Sequence, residues 1–321
     1  MGEFDLIDRY FKKPVRHADL GIGDDCALLS SAPGHQLAMS ADMLVEGRHF
    51  LSTVQPRHLG HKALAVNLSD LAACGAKPKA FLLSLAMPRA DEAWLEGFSQ
   101  GLFALARQHD CELIGGDTTQ GPLNIAITVL GEVPRGQALL RSGAKPGDDL
   151  YVSGTVGDAR LALEAFRGQI SLPEAVFLTA RARMETPEPR VQLGMALRGI
   201  ASAAADISDG LLGDLGHILK ASGVGAHIEW PLAASLLGCA NAWDCPETLM
   251  QTCVLSGGDD YELVFTAAAS RRDQVQAAAL QAQTPVTRIG TITPHAGVDV
   301  VDSRGQALGR AFASFDHFAA P

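Results

Sequence analysis

Gln36-Leu37-Ala38-Met39-Ser40-Ala41-Asp42 reads as a short strand that ends in an acid, and the segments around it set the fold class. Downstream, the stretch from Arg57 to Cys74 places Leu59, Ala63, Val66 and Ala73 near one another on a helical surface. Ala80 to Met87 and Ile125 to Val133 read as buried strands rich in Leu, Ile and Val. Between those two, Asp91 to Gln108 repeats apolar residues at helical spacing around Trp94, Leu95, Phe98, Leu102 and Leu105. Strands alternating with helices make the first half α/β.

The polar, turn-rich run Arg141-Ser142-Gly143-Ala144-Lys145-Pro146-Gly147-Asp148 interrupts this pattern and predicts a domain boundary, giving domains 1–140 and 141–321. Beyond it, strands are expected at Leu150 to Val152, Ala226 to Trp230 and Tyr261 to Thr266. Helices are expected at Asp158 to Phe166, Pro189 to Arg198, Leu211 to Ala221 and Arg271 to Gln281. The second half is therefore also α/β, with an antiparallel sheet expected.

A chain of 321 residues with 47% hydrophobic and 19% charged residues can bury a full core, and its length favours two domains. Net charge is −10 and no Lys/Arg-rich or aromatic-basic run occurs, which excludes the usual footprint of a nucleic-acid binder. The amino terminus lacks a basic stretch followed by an apolar core, and no apolar run reaches bilayer length, so a cytoplasmic protein without a membrane partner is expected. Six cysteines form no CxxC pair or Cys/His zinc spacing, which predicts reduced, buried thiols.

Acids recur in small groups, mostly beside glycine: Gly23-Asp24-Asp25, Ser40-Ala41-Asp42, Asn67-Leu68-Ser69-Asp70, Gly115-Gly116-Asp117-Thr118, Asp206-Ile207-Ser208-Asp209-Gly210 and Gly257-Gly258-Asp259-Asp260. Such pairs are ordinary turn formers. Gathered in one site they would repel and take up protons unless hard cations sat between them, and Mg²⁺ prefers oxygen ligands, water and substrate phosphates. Asn67 and Asp70, three apart on a helical pattern, can face the same way. Ser208 or Asp209 could cap the helix that follows, whose unpaired amides near Gly210 would also suit a phosphate. No Walker-type loop, kinase H-R-D/D-F-G set or G-x-G-x-x-G turn is present, so nucleotide phosphates would be held through metals on aspartates, helped by Arg141 and by amides near Gly116 and Gly210. His49, close after Asp42, could reach a phosphate or be structural.

Seven stretches together carry a resemblance: Gly2-Glu3-Phe4, Gly21-Ile22-Gly23-Asp24-Asp25-Cys26-Ala27, Asn67 to Ala73, Ile114-Gly115-Gly116-Asp117-Thr118-Thr119, Arg141 to Asp148, Asp206 to Leu211, and Ser256-Gly257-Gly258-Asp259-Asp260-Tyr261-Glu262-Leu263. In this order, with Glu46-Gly47-Arg48-His49-Phe50, the set resembles the thiamine-monophosphate kinase family nearly end to end. Several of the motifs are shared with the wider aminoimidazole ribonucleotide synthetase and selenophosphate synthetase superfamily. The resemblance implies two α/β domains of the aminoimidazole ribonucleotide synthetase type, with N-terminal domains pairing into a β-barrel across a homodimer. It further implies ATP as co-substrate, several Mg²⁺ ions, and transfer of phosphate to thiamine monophosphate to give thiamine diphosphate.

Carried over by motif, Asp25, Ser40, Ala41, Asp42, Asp70, Asp117, Asp206 and Asp209 fall on metal positions. Gly116, Asp117, Arg141 and Ser208 fall on nucleotide positions, and His49, Asp259 and Phe315 on substrate positions. Ala41 stands where the family often has threonine or serine, so a metal contact there would use backbone oxygen; Asp259 replaces a common glutamate and Phe315 a frequent tyrosine or tryptophan. No residue is singled out as nucleophile or general base, because the acceptor is itself a phosphate, ionised at neutral pH with a second pKa of about 6. Three rival readings are a superfamily sibling with another acceptor, a two-metal phosphate-ester hydrolase, and a non-enzymatic cation- or nucleotide-binding module.

Overall fold

The computed structural model describes residues 3–23 and 26–308, and the chain divides into two compact units. The first comprises Met1–Leu71 and Ala76–Gly136, the second Ala72–Gly75 and Gln137–Pro321.

In the first unit, a short helix α1 (Glu3–Leu6) precedes four strands, β1 (His35–Val45), β2 (Lys77–Met87), β3 (Glu112–Gln120) and β4 (Asn124–Pro134). They form one sheet in the order β1-β4-β2-β3, with β2 and β3 parallel and the other neighbours antiparallel. Two long helices, α2 (Pro56–Ala73) and α3 (Glu92–Gln108), connect the strands. Asp91 starts α3 by accepting the Trp94 amide at 3.1 Å.

α2 is buried almost all round, which is why its apolar residues show no narrow stripe. It crosses α3 at backbone contact: a Cβ added at Gly101 would lie 1.8 Å from the Arg57 carbonyl oxygen, and one at Gly60 would lie 2.0 Å from that of Phe98. Leu71 of α2 packs where Gly131 of β4 leaves room. The helix thus covers the face of β4 that buries Ile125, Ile127, Val129 and Val133.

The opposite face of this sheet is open. By strand register Met39, Ala41 and Met43 of β1 share it with Thr128 and Ala126 of β4 and with Leu82 and Ser84 of β2. Leu37, Met39 and Met43 are 40%, 67% and 53% exposed.

The second unit holds six strands, β5 (Asp148–Ser153), β6 (Ala203–Ile207), β7 (Gly225–Glu229), β8 (Glu262–Ala268), β9 (Val286–Thr293) and β10 (Gly297–Val301), in the order β10-β7-β9-β5-β8-β6. Its helices are α4 (Asp158–Phe166), α5 (Glu174–Glu185), α6 (Val191–Ala196), α7 (Leu211–Ser222), α8 (Trp230–Ala233), α9 (Glu247–Ser256) and α10 (Arg272–Gln281). Leu150, Val152, Leu211, Leu215, Ile218, Val264 and Ile289 meet in its core.

The expected antiparallel sheet is mixed, because β10 pairs parallel with β7. After β9 the chain turns back but does not pair with β9; it passes over the end of β7 at Gly225, where a Cβ would lie 1.9 Å from the His295 carbonyl oxygen. None of the six cysteines forms a disulfide among the described residues, and the expected burial holds for Cys111, Cys239 and Cys253 but not for the half-buried Cys74 and Cys245 or the exposed Cys26. Among the described residues, no helix is long and apolar enough to cross a membrane.

Candidate active site

In the first unit, the acid-bearing end of β1 faces α2. The amide of Asp42 donates to Asn67 Oδ1 at 3.0 Å, the Asn67 Nδ2 donates to the Ala63 carbonyl, and the Ser40 hydroxyl donates to Asp70 Oδ2. Asn67 is 1% exposed and fully engaged, so it serves as the strut that sets the strand edge against the helix. Ser40, Asp42 and Asp70 are half-buried and oxygen-bearing; Ser40 touches Asp70, and Asp42 shares the Ser40 face of β1. Alternation along β1 turns the Ala41 methyl to the other face, beside Met39 and Met43.

His49 follows on the turn after β1, and its Nδ1 accepts the Val45 amide at 3.0 Å. That bond leaves the neutral ring's proton on Nε2, which makes Nε2 a donor.

Gly116 and Asp117 lie in β3, at the other edge of the sheet from β1. Three strand spacings, about 14 Å, separate the two edges. Register with Ser84 puts Asp117 on the open face, exposed, whereas Ser40 and Asp42 point to the helix side. Within one copy of this unit Asp117 therefore does not join the Ser40, Asp42 and Asp70 group. Gly116 has φ +144°, and a Cβ there would lie 1.8 Å from the Leu83 carbonyl oxygen, so only glycine lets β3 approach β2 this closely.

In the second unit two loops are bound back to back. Asp206, 6% exposed, is the last residue but one of β6, and the turn Ser208-Asp209-Gly210 leads into α7. The Asp259 amide donates to the Ser208 carbonyl at 2.7 Å and the Tyr261 amide to the Ile207 carbonyl at 2.8 Å. Asp206, Ser208, Asp209 and Asp259 are thereby brought to one end of this sheet. Gly258, Asp259 and Tyr261 have φ of +73°, +65° and +55°. For a bulky residue such as Tyr261 this conformation costs about 1–3 kcal/mol, and surrounding bonds must hold it.

They do so through residues that carry no motif chemistry of their own. Glu262 is wholly buried and receives Arg190 through two bonds of 2.7 and 2.6 Å, Arg183 at 2.7 Å and the Ser153 hydroxyl at 2.6 Å. Asp260, 4% exposed, accepts the Gly157 amide at 2.8 Å, and burial pushes its carboxyl well above the usual range.

The helix cap differs from expectation: the N-cap is Gly210, and neither Ser208 nor Asp209 caps α7 with its side chain. Nor are the amides near Gly210 unpaired, since those of Ser208, Asp209 and Gly210 all donate to Asp214 Oδ2 at 3.0, 3.0 and 3.1 Å. Burial pushes the Asp214 carboxyl up to about 7, against the pull of those amides. Its only sequence signal is an acid in the first turn of a helix.

Arg141 is exposed on the loop before β5, and its guanidinium makes no hydrogen bond or ion pair among the described residues. Its carbonyl accepts the Ser222 hydroxyl, which in turn accepts the Gly143 and Ala144 amides and fixes the loop. Asp25 and Phe315 lie outside the described residues. Among the described residues no group of three or more His, Cys, Asp or Glu could hold a metal ion by itself. The paired Ser40 and Asp70, with Asp42 on the same side of β1, are all hard oxygen donors; they fit Mg²⁺, which takes a few carboxylates and completes its shell with water and phosphate.

The chain matches the family models of AIR synthase related protein, the N-terminal domain over residues 23–133 and the C-terminal domain over residues 145–303. It is 46% identical to a thiamine-monophosphate kinase of Salmonella typhimurium over 328 aligned positions, covering 100% of this chain and 99% of that protein. The crystal structure of thiamine-monophosphate kinase from Stenotrophomonas maltophilia K279a superposes with a TM-score of 0.85 at 46% identity, covering 96% of this chain and 98% of the other. The structure of AaThiL complexed with AMPPCP and TMP superposes with a TM-score of 0.76 at 29% identity, covering 99% and 97%. Both halves match in order and the kinase relative aligns from end to end, so the chain belongs to the thiamine-monophosphate kinase family of AIR synthase related proteins.

Proposed function

We propose that this chain is a thiamine-phosphate kinase, moving the γ-phosphate of ATP directly onto thiamine monophosphate to give thiamine diphosphate and ADP in the cytoplasm. The observation that carries this reading is 46% identity over the full length to a protein named for that activity. A relative of the same fold is known as a complex with AMPPCP and TMP, which supports a nucleotide and a monophosphate as the two ligands.

In this reading Asp25, Ser40, the Ala41 backbone, Asp42, Asp70, Asp117, Asp206 and Asp209 hold magnesium ions. When bound, those ions offset the charge of the phosphates so that two anions can meet. Gly116, Asp117, Arg141 and Ser208 receive the nucleotide, and His49, Asp259 and Phe315 the substrate. Arg141 offers a planar, permanently charged donor to phosphate oxygen. His49 offers its Nε2 proton, an orientation favoured by the Val45 amide on Nδ1. The acids need not remove a proton, because the acceptor oxygen is ionised at neutral pH, and alignment is what the protein must supply.

We also propose a homodimer in which two N-terminal sheets close into a barrel. The open face of β1, with Leu37, Met39 and Met43 exposed, supports this, since a second copy would bury it and cover the β1 edge. Light scattering should give twice the chain mass, and Met39→Lys should give a monomer. A fully active wild-type monomer at micromolar concentration contradicts the proposal.

Mass spectrometry of the products from ATP, Mg²⁺ and thiamine monophosphate should show thiamine diphosphate and ADP in equal amounts. Free thiamine, whose hydroxyl would need a base and which lacks the phosphate that orients the substrate, should react negligibly. Equal rates on the two acceptors, or phosphate released without acceptor, would refute the reading.

Asp42→Asn and Asp70→Asn should each fold normally, since the Asp42 contact uses its main-chain amide and an asparagine at 70 still accepts from Ser40. Each should abolish turnover at ordinary Mg²⁺ and raise the concentration required about tenfold or more. Near-normal activity in either variant counts against the metal assignment.

A further inference from the structure

Three consecutive amides converging on one point at the start of a helix are the arrangement that binds a phosphate oxygen in many proteins. In the turn between β6 and α7 the point of convergence is occupied by the chain itself: the Ser208, Asp209 and Gly210 amides donate to the same oxygen, Asp214 Oδ2, at 3.0, 3.0 and 3.1 Å. Asp214 is 3% exposed, one helical turn beyond Gly210. It cannot be displaced without unwinding α7 or leaving a buried carboxylate unpaired.

Two consequences follow from this geometry. The turn cannot cradle a phosphate with these amides, so what it offers outward is the half-buried Ser208 hydroxyl and Asp209 carboxylate. The turn is also held by Asp214 at every residue, while the Ser208 carbonyl accepts the Asp259 amide and the Ile207 carbonyl just before the turn accepts that of Tyr261. Gly210, at φ +114°, lies so close to α9 that a Cβ would meet the Ser256 carbonyl carbon at 2.9 Å. Asp214 thus fixes the placement of Ser208 and Asp209 and, through the Ser208 carbonyl, that of Asp259.

We infer that Asp214 is a positioning residue: its carboxylate oxygen replaces an anion in the amide nest and fixes the Ser208–Gly210 turn so that it presents metal-binding oxygens in place of amides. This rests on the reading of Ser208 and Asp209 as nucleotide and metal residues. What matters is the place of the accepting oxygen, and the charge on it is secondary. Asp214→Asn keeps an acceptor oxygen in place and discards the charge, whereas Asp214→Glu keeps the charge and moves the oxygen by one methylene.

Three measurements on the full-length chain test this. They are amide hydrogen exchange of the peptide spanning Asp206 to Leu212, calorimetric affinity for a non-hydrolysable ATP analogue with Mg²⁺, and the Mg²⁺ concentration for half-maximal turnover. Asp214→Asn should stay within about threefold of wild type in all three, while Asp214→Glu should lose about tenfold or more in Mg²⁺ and analogue affinity and exchange faster in that peptide alone. A tenfold loss in Asp214→Asn, or Asp214→Glu matching wild type, overturns the inference. So does a glutamate variant whose melting temperature falls while Mg²⁺ affinity and local exchange stay put, because that is a merely structural role. If the wild-type chain forms no thiamine diphosphate, the function reading fails by itself, and exchange and analogue binding still judge the role of Asp214.

Discussion

Glu262 is wholly buried at the start of β8, and the hydrogen bonds that Arg190, Arg183 and Ser153 give it hold the acid-bearing end of the second unit in place. A buried carboxylate stripped of its partners costs about 3–5 kcal/mol, so the two arginines cannot leave without unsettling the strand. Tyr261 and Asp259, immediately before it, sit in left-handed backbone conformations and lean on the turn after β6. That turn in turn rests on Asp214. A chain of hydrogen bonds therefore runs from the interior to the half-buried acids Asp209 and Asp259, and each link pre-orders the next.

The same economy appears in the first unit. Asn67, inside α2, uses its carbonyl oxygen to hold the Asp42 amide and its amino group to hold the Ala63 carbonyl, and so aligns a strand edge with a helix face. Ser40 and Asp70 meet across that seam. Both units carry acids on rigid, well-partnered supports, which suits ligand-holding better than proton transfer. A general base works best with a pKa near the operating pH and freedom to approach its proton; metal ligands need fixed positions.

Much of the fold was legible in the sequence because apolar periodicity reports burial directly. Asp158–Phe166 is a helix with the expected bounds, and the strands around Ala80 and Ile125 extend only a few residues beyond expectation. β6 was readable only at its acid end, since Ala203-Ala204-Ala205 has little periodic contrast, and β9, β10, α5 and α9 gave no distinct pattern. Gly115-Gly116-Asp117 and Gly257-Gly258-Asp259 look alike in sequence yet differ in structure. The first runs within β3, pressed on Leu83, and the second forms the bend before β8. The acids proposed for the site stood out in the sequence by their motif company. Their supports were not: Asp214, Arg183, Arg190 and Ser153 act through long-range geometry that no local spacing announces.

The central claim is that these acids hold and align while none of them attacks. Transfer from ATP carrying a stereogenic, isotopically chiral γ-phosphate to thiamine monophosphate tests this most directly. A single direct displacement inverts the configuration at phosphorus, and inversion is the predicted result. Retention would require an intermediate in which the chain itself carries the phosphate, and would contradict the account.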